Sequence, residues 1–505
     1  MLGIDGLVLL GVGIGVKLLL WPAYHSTDFE VHRNWLALTH SLPVSKWYFE
    51  DRSEWTLDYP PFFAWFEWAL SHLAYRWDPR IIDVDNLGYS ALSCIAFQRM
   101  SVVVSELVLF AALQRFAKVS GGSVQARVAA FLVFMSPGFL FVDHVHFQYN
   151  GFLFGVLVYS LVFALEGRDL LSGIAFAMLL CFKHIFMYIA PAYFLYLLLH
   201  YCAVYRRHGS RQLDLKASAL RLLNLGFSVA LVFGIAFGPF AYMGQLSQLA
   251  SRLFPFKRGL CHAYWAPNFW ALYSFADRLL IVGSRLAPNV FPALRAEAAI
   301  GSSTRGLVGD SSFAVLPDVS PAATFVATLA AQIPACALLV FRARTPGRFI
   351  QAVVLCAFAS FLFGWHVHEK AVILILAPLG LLVVTPTRRT LRMFAVLSVS
   401  GYYSLLPLLF GAQELPIKAS VLLIWSLGAL GLLKSNGGSA WRCLTALEKS
   451  YVAGHVLLFL LTELVPSRWL FGQMQFLPLV LVSVYTALGI LYSWLGLIRE
   501  LLLVN

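Results

Sequence analysis

Long apolar segments with almost no charge recur along this 505-residue chain, and they limit what it can fold into. The first runs from Leu2 to Trp21, which is long enough to cross a bilayer as a helix. Only 12% of the residues are charged and 60% are hydrophobic, whereas soluble domains carry about 25% charged residues. This composition predicts an all-α polytopic membrane protein.

Hydropathy predicts about fourteen membrane spans within a single integral domain that covers residues 1–505. Several spans are short or are interrupted by Gly and Pro, as at Ser136-Pro137-Gly138. Backbone breaks at membrane depth are tolerated where they line a cavity, so these interruptions are candidate cavity walls. The predicted spans are 2–22, 98–116, 125–142, 151–165, 169–182, 185–205, 222–243, 321–341, 349–365, 371–384, 391–410, 416–433, 450–466 and 475–498.

Basic residues in the short connections between spans predict the orientation of the chain. By the positive-inside rule the side that carries them is cytosolic, and both termini then lie in the cytosol. Two long loops, residues 23–97 and 244–320, are predicted on the opposite side, although loops of this length contribute little to the rule. The cations on the predicted cytosolic side include Arg115, Lys118, Arg206, Arg207, Arg211, Lys216, Arg342, Arg344, Arg348, Arg388, Arg389 and Arg392.

Several classes of function are disfavoured by the charge and cysteine pattern. The net charge of +12 does not indicate nucleic-acid binding, because the basic residues lie between apolar spans rather than on one face. The seven cysteines are scattered without a CxxC pair, so neither a disulfide scaffold nor a zinc site is indicated. Histidines two apart, as in His366-x-His368, lie on opposite sides of a helix, which makes a metal the less favoured interpretation.

The first long loop, residues 23–97, is predicted to be folded onto the membrane surface and to carry chemistry. Loops this long are usually functional or disordered, and disordered segments are poor in aromatic residues. This loop is rich in Trp, Tyr and Phe, and two carboxylates, Asp28 and Glu30, lie where the first span meets water. Titratable groups at such a boundary are functional-site candidates, although a solvated interfacial pair is the alternative interpretation.

The alternation of spans places every unusual polar cluster on the non-cytosolic side. A simple channel or scaffold has no reason to concentrate His, Asp, Glu and Lys on one face, so the clusters indicate a pocket assembled by folding. The clusters are Asp28–Arg33, Leu57–Pro61, Asp143–Asn150, Lys183–His184, Phe254–Trp270 and Trp365–Lys370.

Some members of these clusters also have a structural interpretation. Asp58 precedes a Tyr-Pro-Pro run, where an aspartate commonly caps a turn. Lys183 and Lys370 lie at the membrane edge and could extend their ammonium groups to the interface. Each also has a histidine or a carboxylate beside it, and such lysines suit an anion such as a phosphate.

Four stretches resemble the motifs of the endoplasmic-reticulum glucosyltransferases of the GT-C type that use dolichyl phosphate glucose. They are Ser26–Trp35, Leu57–Pro61, Asp143–Asn150 and Gly364–Lys370. One enzyme of this family adds the first glucose to the lipid-linked oligosaccharide, and another adds the second. Residues 61–67 and 258–270 look like those of the second enzyme. The resemblance covers residues from about 20 to 420.

The resemblance implies both the reaction and the site. Glucose would move from dolichyl phosphate glucose to Glc1Man9GlcNAc2-diphosphodolichol with inversion, forming an α-1,3 bond without a metal or another cofactor. The family's general base is the aspartate of the Asp-Phe-Glu motif, here Asp28, in a lumenal active site of a multi-pass endoplasmic-reticulum protein. The residues then expected to bind substrate are Glu30, Arg33, Asp58, Asp143, His144, His146, Gln148, Lys183, His184, Arg258, His366, His368, Glu369 and Lys370.

The residue types suit this chemistry, and two alternatives remain open. Inversion requires one base, while a departing phosphate requires positive charge or hydrogen-bond donors rather than an acid. The first alternative is the first-glucose enzyme, which acts on Man9GlcNAc2-diphosphodolichol. The second is a polyisoprenoid lipid transporter, which predicts charge in the middle of spans and paired half-helices in two repeats. Neither feature is expected from the hydropathy pattern.

Overall fold

A computed structural model of the chain is almost entirely helical in the residues that it describes. Those residues are 4–206, 212–254, 259–261, 266–286, 313–342, 344–465, 472 and 476–503. They form two compact units, Met1–Pro255 with Leu339–Ile350, and Phe256–Leu338 with Gln351–Asn505. The all-α polytopic architecture is therefore confirmed, while the single domain 1–505 stays a prediction.

The first unit holds the first long loop and the helices that surround it. Short 3-10 segments lie at Val44–Lys46, Pro79–Ile82 and His184–Ile189, and π-helical segments at Leu140–Phe147 and Leu197–Cys202. The helices are α1 Ile4–Leu19, α2 Thr27–Ser41, α3 Pro61–Trp77, α4 Leu92–Ser105, α5 Leu107–Val119, α6 Val124–Phe134, α7 Pro137–Phe139, α8 Asn150–Leu165, α9 Asp169–Phe182, α10 Ala190–Tyr196, α11 Leu215–Tyr242 and α12 Leu246–Leu253.

The second unit holds the remaining helices and a two-stranded antiparallel sheet, β1 Lys434–Ser435 with β2 Gly438–Ser439. Short 3-10 segments lie at Glu369–Val372, Leu406–Leu408 and Ala412–Glu414, and a π-helical segment at Leu460–Leu464. The helices are α13 Phe269–Leu286, α14 Pro321–Phe341, α15 Pro346–Phe363, α16 Ile373–Leu382, α17 Arg388–Tyr403, α18 Leu415–Leu432, α19 Ala440–Cys443, α20 Ala446–Phe459 and α21 Leu477–Leu503. The end of α14 and the start of α15 belong with the first unit.

Nine helical segments among the described residues are long and apolar enough to cross a membrane, and three shorter helices are apolar. A helix overlaps each of the fourteen predicted spans. The helices that overlap the predicted spans 371–384 and 450–466 are α16 and α20, which are not among those twelve segments. The multi-span architecture is confirmed, and the number of crossings stays a prediction.

The chain breaks where Ser136-Pro137-Gly138 predicted a break. Helix α6 ends at Phe134, the hydroxyl of Ser136 accepts a hydrogen bond from the next turn, and a π-helical segment follows over Leu140–Phe147. Pro137 lacks an N–H donor and cannot continue an α-helical ladder, so a new helical turn has to begin there. This break, called the π segment below, carries three of the predicted site residues.

The first long loop is folded, and it ends at Leu92, where α4 begins, rather than near residue 97. Its aromatic side chains form a core instead of a solvated surface: Trp47 and Tyr48 are each only 1% exposed. Their polar atoms are also paired, since the Tyr48 hydroxyl donates to the carbonyl of Tyr59 at 2.8 Å. The aromatic rings are buried and their polar atoms are hydrogen-bonded, which explains why this aromatic loop is folded.

The second long loop is described only in part, since residues 287–312 lie outside the described residues. Buried Asp277 of α13 organises the part that follows, accepting hydrogen bonds from the backbone N–H groups of Ala314, Val315 and Leu316 at 2.8–3.2 Å. A carboxylate with several backbone donors is well compensated for its burial. This loop therefore has an ordered attachment to α13 just before α14.

Helices α5 and α8 approach so closely that only glycine fits at their contact. A Cβ atom at Gly155 would lie 2.6 Å from the backbone nitrogen of Leu109 and 2.8 Å from the carbonyl carbon of Val108. Backbone atoms cannot move aside as a flexible side chain can, so a larger residue has to separate the helices. Small residues commonly permit such close packing of helices in membranes.

Gly155→Leu should lower the free energy of unfolding by about 1–3 kcal/mol, the usual cost of overpacking. Gly234→Leu is the matched control, because no atom lies within 4 Å of a Cβ placed there in α11. Thermal unfolding of the purified chain in detergent measures both. Equal losses in the two variants would contradict the close approach of α5 and α8.

Candidate active site

Asp28 lies in the first turn of α2, where the first loop leaves α1. The N-cap residue is Ser26, whose hydroxyl accepts a hydrogen bond from the Asp28 backbone N–H at 3.1 Å. Serine is a preferred N-cap, and a carboxylate in the first turn interacts favourably with the helix dipole. The local sequence thus fixes both the start of α2 and the position of the Asp28 carboxylate.

The end of the π segment and the residue after it supply two partners to the Asp28 carboxylate. Gln148 Nε2 donates to Asp28 Oδ2 at 2.6 Å, and His146 Nε2 lies 3.2 Å from the same oxygen. The Asp28 side chain is 21% exposed, so it is held from one side and still reached by solvent. The structure therefore brings predicted Asp28 into contact with two predicted residues that lie more than a hundred positions later in the chain.

A polar chain leads from Asp28 to a lysine through the start of α8. Asn150 Nδ2 donates to Gln148 Oε1 at 2.8 Å, and Lys183 Nζ donates to Asn150 Oδ1 at 3.0 Å. The same ammonium lies 4.8 Å from the centroid of the Tyr59 ring, a cation–π distance. A cation and a carboxylate are thus connected through two amide side chains.

Asp143 anchors the start of α8 within this chain. Its carboxylate accepts hydrogen bonds from the Asn150 amide at 2.9 Å and from the backbone N–H of Gly151. Gly151 would otherwise present an unpaired donor at a helix start. Asp143 therefore holds Asn150 in place, and it reaches Asp28 only through other side chains.

The aromatic residue Tyr59 lies among the carboxylates of this site. Burial raises the pKa of Tyr59 well above its ordinary value, and the nearby carboxylates of Asp58 and Asp28 contribute to the increase. Tyr59 thus remains a neutral hydroxyl at physiological pH. Asp58 itself is half-buried and follows Leu57 of the loop core.

Glu30 and Arg33 bind each other. The guanidinium donates to both carboxylate oxygens of Glu30, at 2.7 and 2.8 Å, and also to the backbone carbonyls of Ile81 and Asp83. Arg33 is fully buried. This pair ties α2 to the later part of the first loop, and the two side chains make these bonds away from Asp28 Oδ2.

His144 points away from Asp28 and into a buried charge cluster. Its Nε2 lies 2.6 Å from Glu106 Oε2, and Lys17 Nζ lies 2.7 Å from the same oxygen. All three side chains are at most 3% exposed. Glu106 separates α4 from α5 in the middle of a span, so the expectation of no charge in the middle of spans is wrong at this position.

A second buried pair lies one turn along α2 from Asp28. His32 Nδ1 lies 2.7 Å from Glu67 Oε1 of α3, and both side chains are almost completely buried. Burial raises the pKa of Glu67, and the hydrogen bond from His32 partly offsets this increase. The pair joins α2 to α3 inside an aromatic cage that includes Tyr59 and Phe147.

The other predicted residue of the first unit is His184, at the start of a 3-10 segment, where its ring packs 5.3 Å from that of Phe254. The predicted Arg258 lies outside the described residues.

The remaining predicted residues, His366–Lys370, form a separate cluster in the second unit. His366 Nδ1 lies 2.7 Å from the carbonyl oxygen of Gly259, and its backbone N–H donates to Leu260 at 3.0 Å. The rings of His366 and His368 are 5.6 Å apart. Glu369 is buried and Lys370 is half-buried at the start of the helical turn that precedes α16.

Sequence patterns could have indicated the buried groups that the predictions missed. Lys17 and Glu106 are charges inside predicted spans, and intramembrane charges are expected to have a partner and a role. His32 is four residues after Asp28 and so shares its helix face. Nothing local identifies Glu67 as the partner of His32, because that contact depends on how α2 packs on α3.

No group of three or more His, Cys, Asp or Glu residues among those described is placed so that it could hold a metal ion.

The model of the ALG6, ALG8 glycosyltransferase family matches residues 13–497. A relative from Gibberella zeae is 50% identical over 493 residues, covering 96% of each chain, and is named dolichyl pyrophosphate Glc1Man9GlcNAc2 alpha-1,3-glucosyltransferase. Relatives with the same name from Bos taurus and Arabidopsis thaliana are 44% and 45% identical. They cover 98% and 97% of this chain and 95% and 96% of their own lengths.

Among solved structures, that of ArnT from Cupriavidus metallidurans bound to undecaprenyl phosphate matches with 14% sequence identity and a TM-score of 0.38. The match covers 99% of this chain and 77% of that one.

Glu106→Gln should destabilise the chain by about 3–5 kcal/mol, because it leaves Lys17 charged and unpaired inside a span. The matched control is Glu166→Gln, which removes a partly exposed ion pair with Arg115 and should cost about 1 kcal/mol or less. Thermal unfolding in detergent measures both variants. Adding Lys17→Met to Glu106→Gln should restore part of the loss, and no restoration would contradict the pairing.

Proposed function

The chain belongs to the ALG6, ALG8 glycosyltransferase family, and on this premise we propose that it adds the second glucose to the lipid-linked oligosaccharide. The donor is dolichyl phosphate glucose, the acceptor is Glc1Man9GlcNAc2-diphosphodolichol, and the new bond is α-1,3. The family is one of membrane glycosyltransferases, in agreement with the predicted GT-C fold class. The choice of acceptor is supported by the names of relatives that are 44–50% identical over nearly the whole chain.

The observation that carries the catalytic proposal is the contact of Asp28 with Gln148 and His146. An inverting transfer needs a base that removes the proton from the acceptor hydroxyl while the sugar is attacked from the face opposite the phosphate. Asp28 is partly exposed, and its Oδ2 is fixed by the Gln148 amide at 2.6 Å. A carboxylate held in one orientation loses less entropy when it engages the acceptor.

The departing dolichyl phosphate requires positive charge where negative charge develops. Lys183 is the proposed cation in the first unit, because its ammonium is already held at 3.0 Å by Asn150, which also contacts Gln148. In the second unit we propose that His366, His368 and Lys370 bind an anionic group of a substrate. The lipid tails of both substrates remain in the bilayer, and this explains why the enzyme is a membrane protein.

The polar groups around Asp28 have separate proposed roles. Glu30 and Arg33 hold the first loop against α2, and Asp143 positions Asn150 for the contacts of Gln148 and Lys183. His144 acts with Glu106 to orient the π segment. In this proposal only Asp28, Gln148, His146, Lys183 and the second-unit cluster approach the substrates, and the other predicted residues support them.

Transfer of labelled glucose by the purified chain tests the function and the base together. Glc1Man9GlcNAc2-diphosphodolichol should be glucosylated and Man9GlcNAc2-diphosphodolichol should not. Asp28→Asn keeps the side-chain shape but cannot accept the proton, so the rate should fall about 10²–10⁴-fold with folding preserved. Glu30→Gln is the control, since it should lower the melting temperature more than the rate.

Different failures of this assay have different meanings. Transfer to Man9GlcNAc2-diphosphodolichol alone would identify the first-glucose enzyme. Movement of a polyisoprenoid lipid across the vesicle membrane, without transfer of glucose, would favour the transporter. An active Asp28→Asn variant, with activity lost in Asp58→Asn, would reassign the base.

The proposed orientation puts the loops 23–97 and 244–320 in the lumen of the endoplasmic reticulum and the termini in the cytosol. The short connections with many cations motivate this orientation. Glycosylation sequons introduced near Glu50 and near Gly309 should be modified, and one near Gly209 should not. Modification near Gly209, measured as a mobility shift that a glycosidase reverses, would contradict the orientation.

A further inference from the structure

A groove of about 540 Å³ in the first unit lies at the ends of two spans and is lined by basic and apolar residues. The spans are His184–Cys202 and Pro321–Phe341. The cationic residues are Arg342 and Arg344, His200 lies beside them, and the apolar residues include Leu199, Val340 and Phe341. None of these residues belongs to the proposed active site.

Arg344 is oriented before any ligand arrives. Its Nε donates to the carbonyl of Leu339 at 3.2 Å, and its Nη1 donates to the carbonyl of Leu199 at 3.3 Å. These carbonyls belong to the last turns of two different helical segments, where unpaired acceptors concentrate. A guanidinium has five N–H donors, so these two bonds fix its plane and leave donors for a ligand.

Arg342 adds a second positive charge to the groove, and His200 adds a titratable ring. Within the described residues, Arg342 makes no hydrogen bond or ion pair. His200 stacks on Tyr196 with ring centroids 4.8 Å apart, and its Nε2 lies 3.7 Å from Asp169. Among the described carboxylates, Asp169 is thus the one that pairs with a lining residue, and its partner is His200 rather than either arginine.

The apolar residues of the groove are exposed on the surface of a candidate span. Phe341 is 81% exposed and Val340 is 39% exposed, although both lie in the last turn of a span. A ligand for this site therefore has an anionic head for the arginines and an apolar tail for these residues. Planar, forked donors such as arginine suit the paired oxygens of a phosphate.

We propose that this groove binds the phosphodiester headgroup of an anionic glycerophospholipid, with its acyl chains along Phe341 and Val340. In the proposed orientation the groove faces the cytosolic leaflet, where anionic lipids concentrate. Basic pockets between helices on that side commonly bind such headgroups. A free inorganic phosphate would satisfy the arginines but would leave the apolar residues without a partner.

The competing explanation is that the arginines only orient the chain in the membrane by the positive-inside rule. A control pair of arginines distinguishes this role from lipid binding. Arg388 and Arg389 lie at the start of α17, on the same predicted side, and do not line the groove. Removing either pair lowers the basic charge of that side equally. Only the groove pair should affect the bound lipid if the site is specific.

The test measures retention of phosphatidylinositol relative to phosphatidylcholine by the full-length chain, using native mass spectrometry from mixed nanodiscs. The wild type should prefer phosphatidylinositol, and Arg342→Gln with Arg344→Gln should weaken this preference by about fivefold for each arginine. The Arg388→Gln, Arg389→Gln control should retain it. Arg342→Gln alone should show a partial loss, and it leaves the two carbonyl contacts of Arg344 intact if the double variant folds poorly.

Three results would overturn the proposal. They are no preference in the wild type, an equal loss in the control pair, and displacement of the lipid by glycerophosphoinositol at equal concentration, which would show that the acyl chains contribute nothing. Glucosyl transfer should remain near the wild-type rate in all these variants. Failure of the lipid preference with transfer intact would therefore leave the proposed function standing.

Discussion

The candidate site depends on how the chain breaks between α6 and α8 without leaving backbone polar groups unpaired in lipid. Such groups cost several kcal/mol each when nothing satisfies them. The backbone N–H and hydroxyl of Ser26 both donate to the carbonyl of His146, and the Arg99 guanidinium donates to the carbonyl of His144 and to two carbonyls after α1. The carbonyl groups at the break are therefore paired when the start of the first loop lies against them. Asp28 follows Ser26 by two residues, so it lies at the same place.

Two histidines of the π segment then divide the polar groups into two classes. His144 contacts Glu106 and Lys17, which are buried among spans, whereas His146 contacts partly exposed Asp28. A buried ion pair contributes little net stability but can specify one arrangement over others. Here the buried cluster holds the segment in one orientation, and the exposed contact places His146 beside Asp28, the proposed base. The π segment therefore connects a cluster of side chains buried among the spans to a partly exposed site.

Local patterns in the sequence are enough to predict the multi-span helical architecture and the break at Ser136, and they make Asp28 a candidate site residue. They could not predict that Glu30 binds Arg33 rather than facing the site, because Arg33 is oriented by carbonyls some fifty residues later. The sequence predicts that Gln148 and His146 lie on the same side of the membrane as Asp28. Only the folded structure shows their direct contact with Asp28 Oδ2. Hydropathy does not reveal charges inside spans, because one charged residue such as Glu106 changes the mean hydropathy of a long apolar window only a little.

The π segment has a consequence for how much the chain can vary. Each residue added to or removed from a helix rotates everything after it by about 100°, since a turn holds 3.6 residues. The strained backbone at Phe147, with φ of +90°, marks where the segment turns its next residue toward Asp28. The position of Gln148 against Asp28 therefore depends on the number of residues between Ser136 and Asn150, because an insertion or deletion there would turn Gln148 away from the carboxylate.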